Sequence, residues 1–190
     1  MFGGAGVPGV DLVDRFELLI DPARAIRWPE GGGFQPVEVR INGHPLLDLI
    51  RSAEEPWGQA ENAAEPSDPD TFSGPVVPGA YLYPGARTVL LPSREWLGSP
   101  SEPGFVLDAG DPRRGKAMVL GCTCGISECW FVQARIEVGV DRVRWSEFGQ
   151  FHRPHWRYDL GPFTFDRLQY EAQLAPRAAE PRAAPDAGRG

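Results

Sequence analysis

The sequence predicts a mixed α+β domain built around an antiparallel sheet. The chain has 23 Gly and 20 Pro among 190 residues, and this density interrupts long helices. Several short segments alternate polar and apolar residues, which is the period of a half-buried strand. Two further segments carry helical spacing behind a helix start signal. An all-β domain with incidental helices is the alternative.

The N-terminal quarter predicts two strands and one helix. Residues 1–10 are rich in glycine, and we expect them to be flexible. Phe16–Ile20 is apolar enough for a first strand, and Val37–Ile41 alternates as a half-buried strand does. The Asn42-Gly43 pair signals a tight turn. A proline then suits the first position of the predicted helix Pro45–Ala53. We place one domain over residues 11–174.

Residues 54–115 predict a long loop-rich stretch with short apolar islands, strands or core-docked loops, at Gly79–Tyr83, Thr88–Leu91 and Gly104–Asp108. Its first part, Glu54–Asp70, has six acidic residues and no Lys or Arg, so it carries nearly all of the chain's net charge of −7. Such a composition favours a solvated, mobile loop. The alternative is an acidic surface that mimics DNA or binds a protein partner, with Trp57 as its anchor.

Residues 116–148 give the clearest strand signal, a three-strand antiparallel meander. The predicted strands are Lys116–Thr123, Cys129–Val138 and Arg142–Phe148. The second strand alternates apolar residues with glutamine, arginine and glutamate, which predicts a sheet with one buried face.

The C-terminal region predicts one more strand and a second helix. Phe163–Phe165 is a short apolar strand candidate, and Asp166 can cap the N-terminus of a helix over Arg167–Leu174. The remaining residues, 175–190, are rich in alanine and proline, so we expect a disordered tail.

All three cysteines of the chain, Cys122, Cys124 and Cys129, fall within eight residues at a predicted turn between two strands. Thiolates gathered at a turn, with a fourth ligand from elsewhere, form a tetrahedral zinc site. We predict one Zn²⁺ there, with His155 or His152 as the fourth ligand. Such a zinc would staple the turn to the segment after the third strand.

Two features of the spacing weaken the zinc hypothesis. In an extended strand the Cα atoms of Cys122 and Cys124 lie about 6.7 Å apart, whereas sulfurs around zinc converge to about 3.8 Å. A bend at Gly125 could bring them together. His44 is another candidate ligand. The alternatives are reduced structural cysteines, a redox pair, or a nucleophilic cysteine with a nearby histidine.

The segment from His152 to Tyr158 holds two histidines, two arginines and two aromatic residues. The first interpretation is a surface loop whose aromatic rings cover the end of the sheet. The alternative is a pocket wall in which Arg153 and Arg157 bind a carboxylate or phosphate and Trp156 adds an apolar contact. The sequence contains no phosphate loop, dinucleotide fingerprint or H-E-x-x-H motif.

The segment Gly121 to Trp130, followed by an Ala-Arg-Ile strand, a Trp-Ser-Glu-Phe strand and the later Gly-Pro-Phe and Phe-Asp-Arg runs, resembles a family of uncharacterised bacterial proteins. The resemblance covers about the last 75 residues before the tail. It implies an intracellular bacterial protein and assigns no reaction.

Composition narrows the classes of function. A pI near 5.0 weighs against nucleic-acid binding. No stretch of about 18 apolar residues occurs, and the N-terminus has no secretory pattern, so we expect a cytoplasmic protein that does not span a membrane. Our first hypothesis is a non-enzymatic binding module with a protein partner, stapled by zinc. The alternative is a small metal-dependent or Cys-dependent hydrolase that uses the cysteines and a nearby histidine.

Overall fold

The computed structural model describes residues 13–27, 32–64, 74–102, 104–126 and 128–176. They form a mixed α+β fold with strands in antiparallel sheets, which confirms the predicted fold class, and the all-β alternative is not favoured. The strands are β1 (Phe16–Leu19), β2 (Ile26–Arg27), β3 (Gly33–Phe34), β4 (Glu38–Ile41), β5 (His44–Pro45), β6 (Tyr81–Leu82), β7 (Ala117–Cys122), β8 (Val132–Val138), β9 (Arg142–Gln150) and β10 (Phe163–Asp166). The helices are α1 (Leu46–Ala64), α2 (Ala86–Val89) and α3 (Arg167–Leu174), and one 3₁₀ turn covers Pro22–Arg24.

The predicted meander is confirmed as β7, β8 and β9, the centre of a five-stranded sheet of order β10-β9-β8-β7-β6. The second strand begins at Val132 and not at Cys129 as predicted. Gly125 and Glu128, which lie in the predicted turn, have left-handed φ angles of 78° and 64°, and this turn continues through residues 129–131, which were predicted as strand. The third strand runs on to Gln150.

The second sheet has the order β1-β4-β5. The Asn42-Gly43 turn is confirmed, because both residues have positive φ angles, 54° and 82°, as a two-residue hairpin requires. The turn leads into β5, which pairs His44 with Ile41. Pro45 therefore belongs to this strand, and the helix begins one residue later than predicted.

Backbone hydrogen bonds join the two sheets on both sides. Asp14 N donates to Thr164 O at 2.7 Å, which ties the start of β1 to β10. On the other side Val37 N donates to Pro84 O at 3.0 Å and Ala86 N to Gln35 O at 2.9 Å. Residues 84–86 directly follow β6, and residues 35–37 directly precede β4. The hydrogen bonds therefore run round a barrel-like ring, and we call the junction of 35–37 with 84–86 the seam.

The core fills this ring and is closed by α3. Tyr170 of α3 is fully buried; its hydroxyl donates to Trp96 O at 2.8 Å and accepts from Trp145 Nε1 at 3.1 Å. The predicted helix cap is confirmed, since Asp166 Oδ1 accepts from Gln169 N at 3.0 Å. The hydrogen bonds of Tyr170 and Trp145 satisfy the polar atoms that these large aromatic side chains bring into the core.

The prediction of a mobile loop from residue 54 is wrong for residues 54–64, because α1 continues to Ala64. Pro56 lies inside the helix, and the segment around it is rich in Glu, Gln and Ala, which favour helix. One face of this extension is also packed, with Glu54 and Gly58 buried. Packing therefore outweighs the cost of the proline. Residues 65–70 of the acidic stretch lie outside the described residues.

The rest of the loop-rich stretch contains short ordered pieces. The apolar run near residue 90 forms α2, whose Val89 is buried, and the Gly104–Asp108 island forms no strand among the described residues. Within the part of the chain that is described, no helix has the length and apolarity needed to cross a bilayer. The predictions for residues 1–10 and for 177–190 of the tail lie outside the described residues.

Candidate metal centre and its surroundings

The three cysteines meet at one end of the five-stranded sheet. Cys122 is the last residue of β7, and Cys124 and Cys129 lie in the turn that follows. Their three Sγ atoms all lie within 4.8 Å of one another, and those of Cys122 and Cys124 are 3.0 Å apart. The group could hold a metal ion, as the sequence predicted. We call it the thiolate triad.

A tight bend after β7 brings the sulfurs together. Gly125 takes a left-handed φ of 78°, and its N–H donates to Cys122 O at 3.1 Å. Two backbone N–H groups then point at sulfur: Cys124 N lies 3.5 Å from Cys122 Sγ, and Ile126 N lies 3.5 Å from Cys124 Sγ. Donors aimed at sulfur stabilise the charged thiolate, which is the form that binds metal.

Burial and the hydrogen bond between Cys122 and Cys124 shift the pKa values of these two thiols in opposite directions. Burial, followed by the hydrogen bond with Cys124, raises the pKa of Cys122 to about 11. The hydrogen bond from Cys122 lowers the pKa of Cys124. Cys124 is therefore the first of the pair to ionise, with its neighbour as donor. A metal ion that binds both sulfurs displaces the protons that they carry.

Neither predicted histidine belongs to the triad. His152 Nε2 lies 3.0 Å from Glu128 O, and its ring stacks on Trp130 with the ring planes 11° apart. His155 is exposed. The metal-ligand group found among the described residues consists of the three sulfurs alone. The link between the cysteine turn and the histidine segment, which we predicted as a zinc bridge, is made in this structure by the hydrogen bond of His152.

The predicted binding residues of the segment 152–158 contact α1. The Arg153 guanidinium pairs with both carboxylate oxygens of Glu61 at 2.7 to 3.0 Å and lies over the Trp130 ring at 5.1 Å. Its hydrogen bond is the main cause that lowers the pKa of Glu61. The Arg153 guanidinium, which we predicted to bind the anion of a ligand, thus binds a carboxylate of its own chain.

Trp57, Trp156 and Arg157 complete the same contact. Trp57 Nε1 donates to Arg157 O at 2.8 Å, and Trp156 is buried. The Arg157 guanidinium donates to Pro154 O at 2.6 Å. The four residues that we predicted as a binding surface therefore join helix α1 to the segment 152–158. We call this contact the helix joint.

Sequence reasoning missed Glu54, which is a buried carboxylate in the helix joint. Its Oε1 accepts from Tyr81 OH at 2.5 Å and from Tyr158 OH, and its Oε2 accepts from Gly79 N at 2.8 Å. Burial raises the pKa of both tyrosines far above the ordinary value, so they remain donors. Glu54 lies four positions after the apolar residue Ile50, which places both on the same face of a helix. A predicted helix that continued past Ala53 would therefore have put Glu54 on the buried face.

Sequence reasoning also missed a cavity of about 710 Å³ beside the triad. It lies at the seam, where Gln35 and residues 84–86 form part of its wall. Cys122 lines this cavity and is also a member of the triad. The candidate metal centre and the cavity are therefore neighbours that share one side chain.

No family model, no curated protein and no solved structure matches this chain.

Proposed function

We propose that this protein is a binding module whose thiolate triad holds one Zn²⁺ through Cys122, Cys124 and Cys129. The observation that supports it is the meeting of every cysteine of the chain within 4.8 Å. Free thiols that merely fill a core are buried, whereas Cys124 and Cys129 are exposed. Exposed thiols with N–H donors directed at them suit metal binding better.

Zinc is the ion that this set of donors favours. Thiolates select zinc, cuprous copper and iron–sulfur clusters over hard cations. Zinc bonded to sulfur at about 2.3 Å places its sulfurs about 3.8 Å apart. In the triad one separation is 3.0 Å and none exceeds 4.8 Å. Reduced thiols also require a reducing compartment, which supports an intracellular location.

The fourth coordination position is left to a donor from outside the described group, since zinc takes four ligands. A protein partner or a small molecule would supply that donor. The proposed role of the metal is therefore to bind that external donor. The turn does not need the metal for its shape, because the backbone hydrogen bonds of Gly125 and Cys129 already hold it.

A metal-dependent hydrolase is the second candidate, and the open position next to a cavity favours it. Catalysis by zinc-bound water usually needs a nearby group that moves protons. Among the described residues no imidazole or carboxylate belongs to the triad, and the closest acidic residue in sequence, Glu128, accepts from Gly104 N. The binding module is therefore the better supported proposal.

The test is metal analysis of the full chain, purified without a histidine tag. We expect about one zinc per chain, and Cys124→Ser should lose it. Thr123→Ser is the matched control, because Thr123 is exposed in the same turn and carries no sulfur. Cobalt substitution should give thiolate-to-metal charge-transfer absorption that weakens in Cys124→Ser and not in Thr123→Ser.

Two results would contradict the proposal. One is a metal content near zero together with three thiols that react freely in the folded protein. The other is loss of the metal in His152→Asn or His155→Asn, which would show a closed site with a histidine ligand and hence a purely structural zinc.

A further inference from the structure

The cavity at the seam is a second place where this protein can bind a molecule. Its volume of about 710 Å³ falls in the range of about 300–1,000 Å³ that small-molecule sites occupy. It lies at the junction that closes the ring, and the mouths of barrels are a common place for ligands. The thiolate triad does not fill it, since only Cys122 of the three lines its wall.

The wall is mainly apolar and partly bare backbone. Phe34, Leu82 and Met118 contribute apolar side chains. Gly85 has no side chain to offer, and a Cβ there would lie 3.2 Å from the Phe34 ring. Gly85 thus lies directly against Phe34, and the volume of about 710 Å³ leaves room for a flat or short apolar body that contacts Phe34 and Leu82.

One cation at the wall has no described partner. Arg87 and the neighbouring Thr88 line the cavity, and within the described ranges neither the guanidinium nor the hydroxyl makes a hydrogen bond or ion pair. Arg113 and Arg153, in contrast, both bind carboxylates of the chain. No Asp or Glu belongs to the described lining. Among the residues that the structure describes, the charge at the cavity wall is therefore positive and has no acidic partner, although the whole chain is acidic.

We propose that this cavity binds a small organic monocarboxylate. The carboxylate pairs with the Arg87 guanidinium and accepts from the Thr88 hydroxyl, and the apolar body lies against Phe34 and Leu82. A carboxylate suits the planar fork of an arginine. The bound molecule lies beside Cys122. The inference goes beyond the proposed metal binding and does not require it.

The test compares two probes of nearly equal shape, naphthalene-2-carboxylate and naphthalene-2-carboxamide, on the metal-free full chain by calorimetry. We expect the carboxylate to bind several-fold more tightly, because an exposed ion pair is worth about a fivefold change in affinity. Amide shift changes in ¹⁵N-labelled protein should centre on Gly85, Ala86 and Gly121. Equal affinity of both probes, or shift changes confined to another face, would overturn the proposal.

Two variants sharpen the test. Arg87→Met should weaken the carboxylate about fivefold and leave the carboxamide unchanged. Arg114→Met is the matched control, because it removes the same charge from an exposed residue that does not line the cavity. Thr88→Trp should block both probes. If Arg114→Met weakens the carboxylate as much as Arg87→Met does, the effect is one of net charge and the assigned site is wrong.

The result is separable from the metal proposal. Cys124→Ser, which should abolish metal binding, should leave carboxylate affinity within about twofold, since Cys124 does not line the cavity. In cobalt-loaded protein the carboxylate should shift the thiolate charge-transfer band. Absence of binding by either probe at millimolar concentration would refute the carboxylate site, whatever the metal content.

Discussion

The helix joint and the thiolate triad both adjoin Trp130, whose ring lies under Arg153 and which directly follows Cys129. They differ in how far their polar groups are paired within the chain. In the helix joint, acidic residues of α1 meet arginine, tyrosine and backbone donors, and Glu54 is almost fully buried with three donors around it. In the thiolate triad the sulfurs contact one another and two N–H groups of the described residues. In the helix joint the Glu54 carboxylate is paired by donors of the same chain, whereas in the thiolate triad the sulfurs can still bind a metal ion.

The comparison shows why an unusual composition is a poor guide to a binding surface. The acidic stretch and the segment 152–158 each suggested an external partner when considered alone. In the structure Glu61 of the acidic stretch pairs with Arg153 of that segment. The three sulfurs and Arg87, in contrast, have no oppositely charged partner among the described residues.

The strongest test of this contrast is removal of the carboxylate at the centre of the joint. Glu54→Ala leaves two tyrosine hydroxyls and Gly79 N without their acceptor, and unsatisfied buried donors are costly. We expect the free energy of unfolding to fall by about 3 kcal/mol, measured by urea denaturation. Glu55→Ala, one residue along the same helix and exposed, should change it by about 0.5 kcal/mol or less. Equal effects of the two variants would show that the joint adds no specific stability.

The tyrosines test the same joint without a mutation. The chain has four tyrosines, and burial is the first cause that raises the pKa of each, to about 12 for Tyr83. In an unfolded chain they ionise near pH 10. Stability from these groups is therefore complete below about pH 10 and is lost as the pH rises above it.

Absorbance at the tyrosinate band measures this difference. We expect the folded protein to form almost no tyrosinate at pH 10, where the protein in concentrated urea is about half ionised. Tyrosinate should then appear together with the loss of tertiary circular dichroism. A native tyrosine that ionises at pH 10 while the fold persists would contradict the burial described for the joint.

A smaller effect is expected at the rim of the joint, for the pair Glu61 and Arg153. Both side chains are partly buried, with 26% and 29% exposed, so solvent screens the pair to some extent. A double-mutant cycle of Glu61→Gln and Arg153→Met should give a coupling of about 1 kcal/mol. The same cycle on Asp48 and Arg51, an exposed pair on the same helix, should give less than half of that. Zero coupling at Glu61 and Arg153 would show that stacking on Trp130 alone holds the arginine.

The parts of this structure that local sequence determines could be predicted. The meander strands, the Asn42-Gly43 turn and the helix capped by Asp166 each follow from alternation or from a turn or cap residue. The gathering of the cysteines at one sheet end also follows from these local patterns. In each of these segments the local pattern favours one kind of secondary structure and no other.

The parts that tertiary contacts determine could not be predicted. Helix α1 passes Pro56 because its far half packs on residues distant in sequence, as Asn62 does by donating to and accepting from Val76. The cavity at the seam depends on hydrogen bonds between residues 35–37 and 84–86, which no periodicity in either segment reveals. The partner of Arg153 lies 92 positions away, so spacing could not assign it.

The smallest expected effect belongs to the triad in the absence of metal. Cys124 is exposed, and among the described residues its sulfur contacts the other sulfurs of the triad and an N–H group of its own turn. Cys124→Ser should therefore change the free energy of unfolding of the chelated protein by about 0.5 kcal/mol or less. With zinc added in excess, only the wild type should gain stability, because a ligand of the folded state stabilises it by mass action. A large loss already in the chelated protein would mean that the cysteines are part of the fold, as the residues of the helix joint are, and the contrast between the two regions would fail.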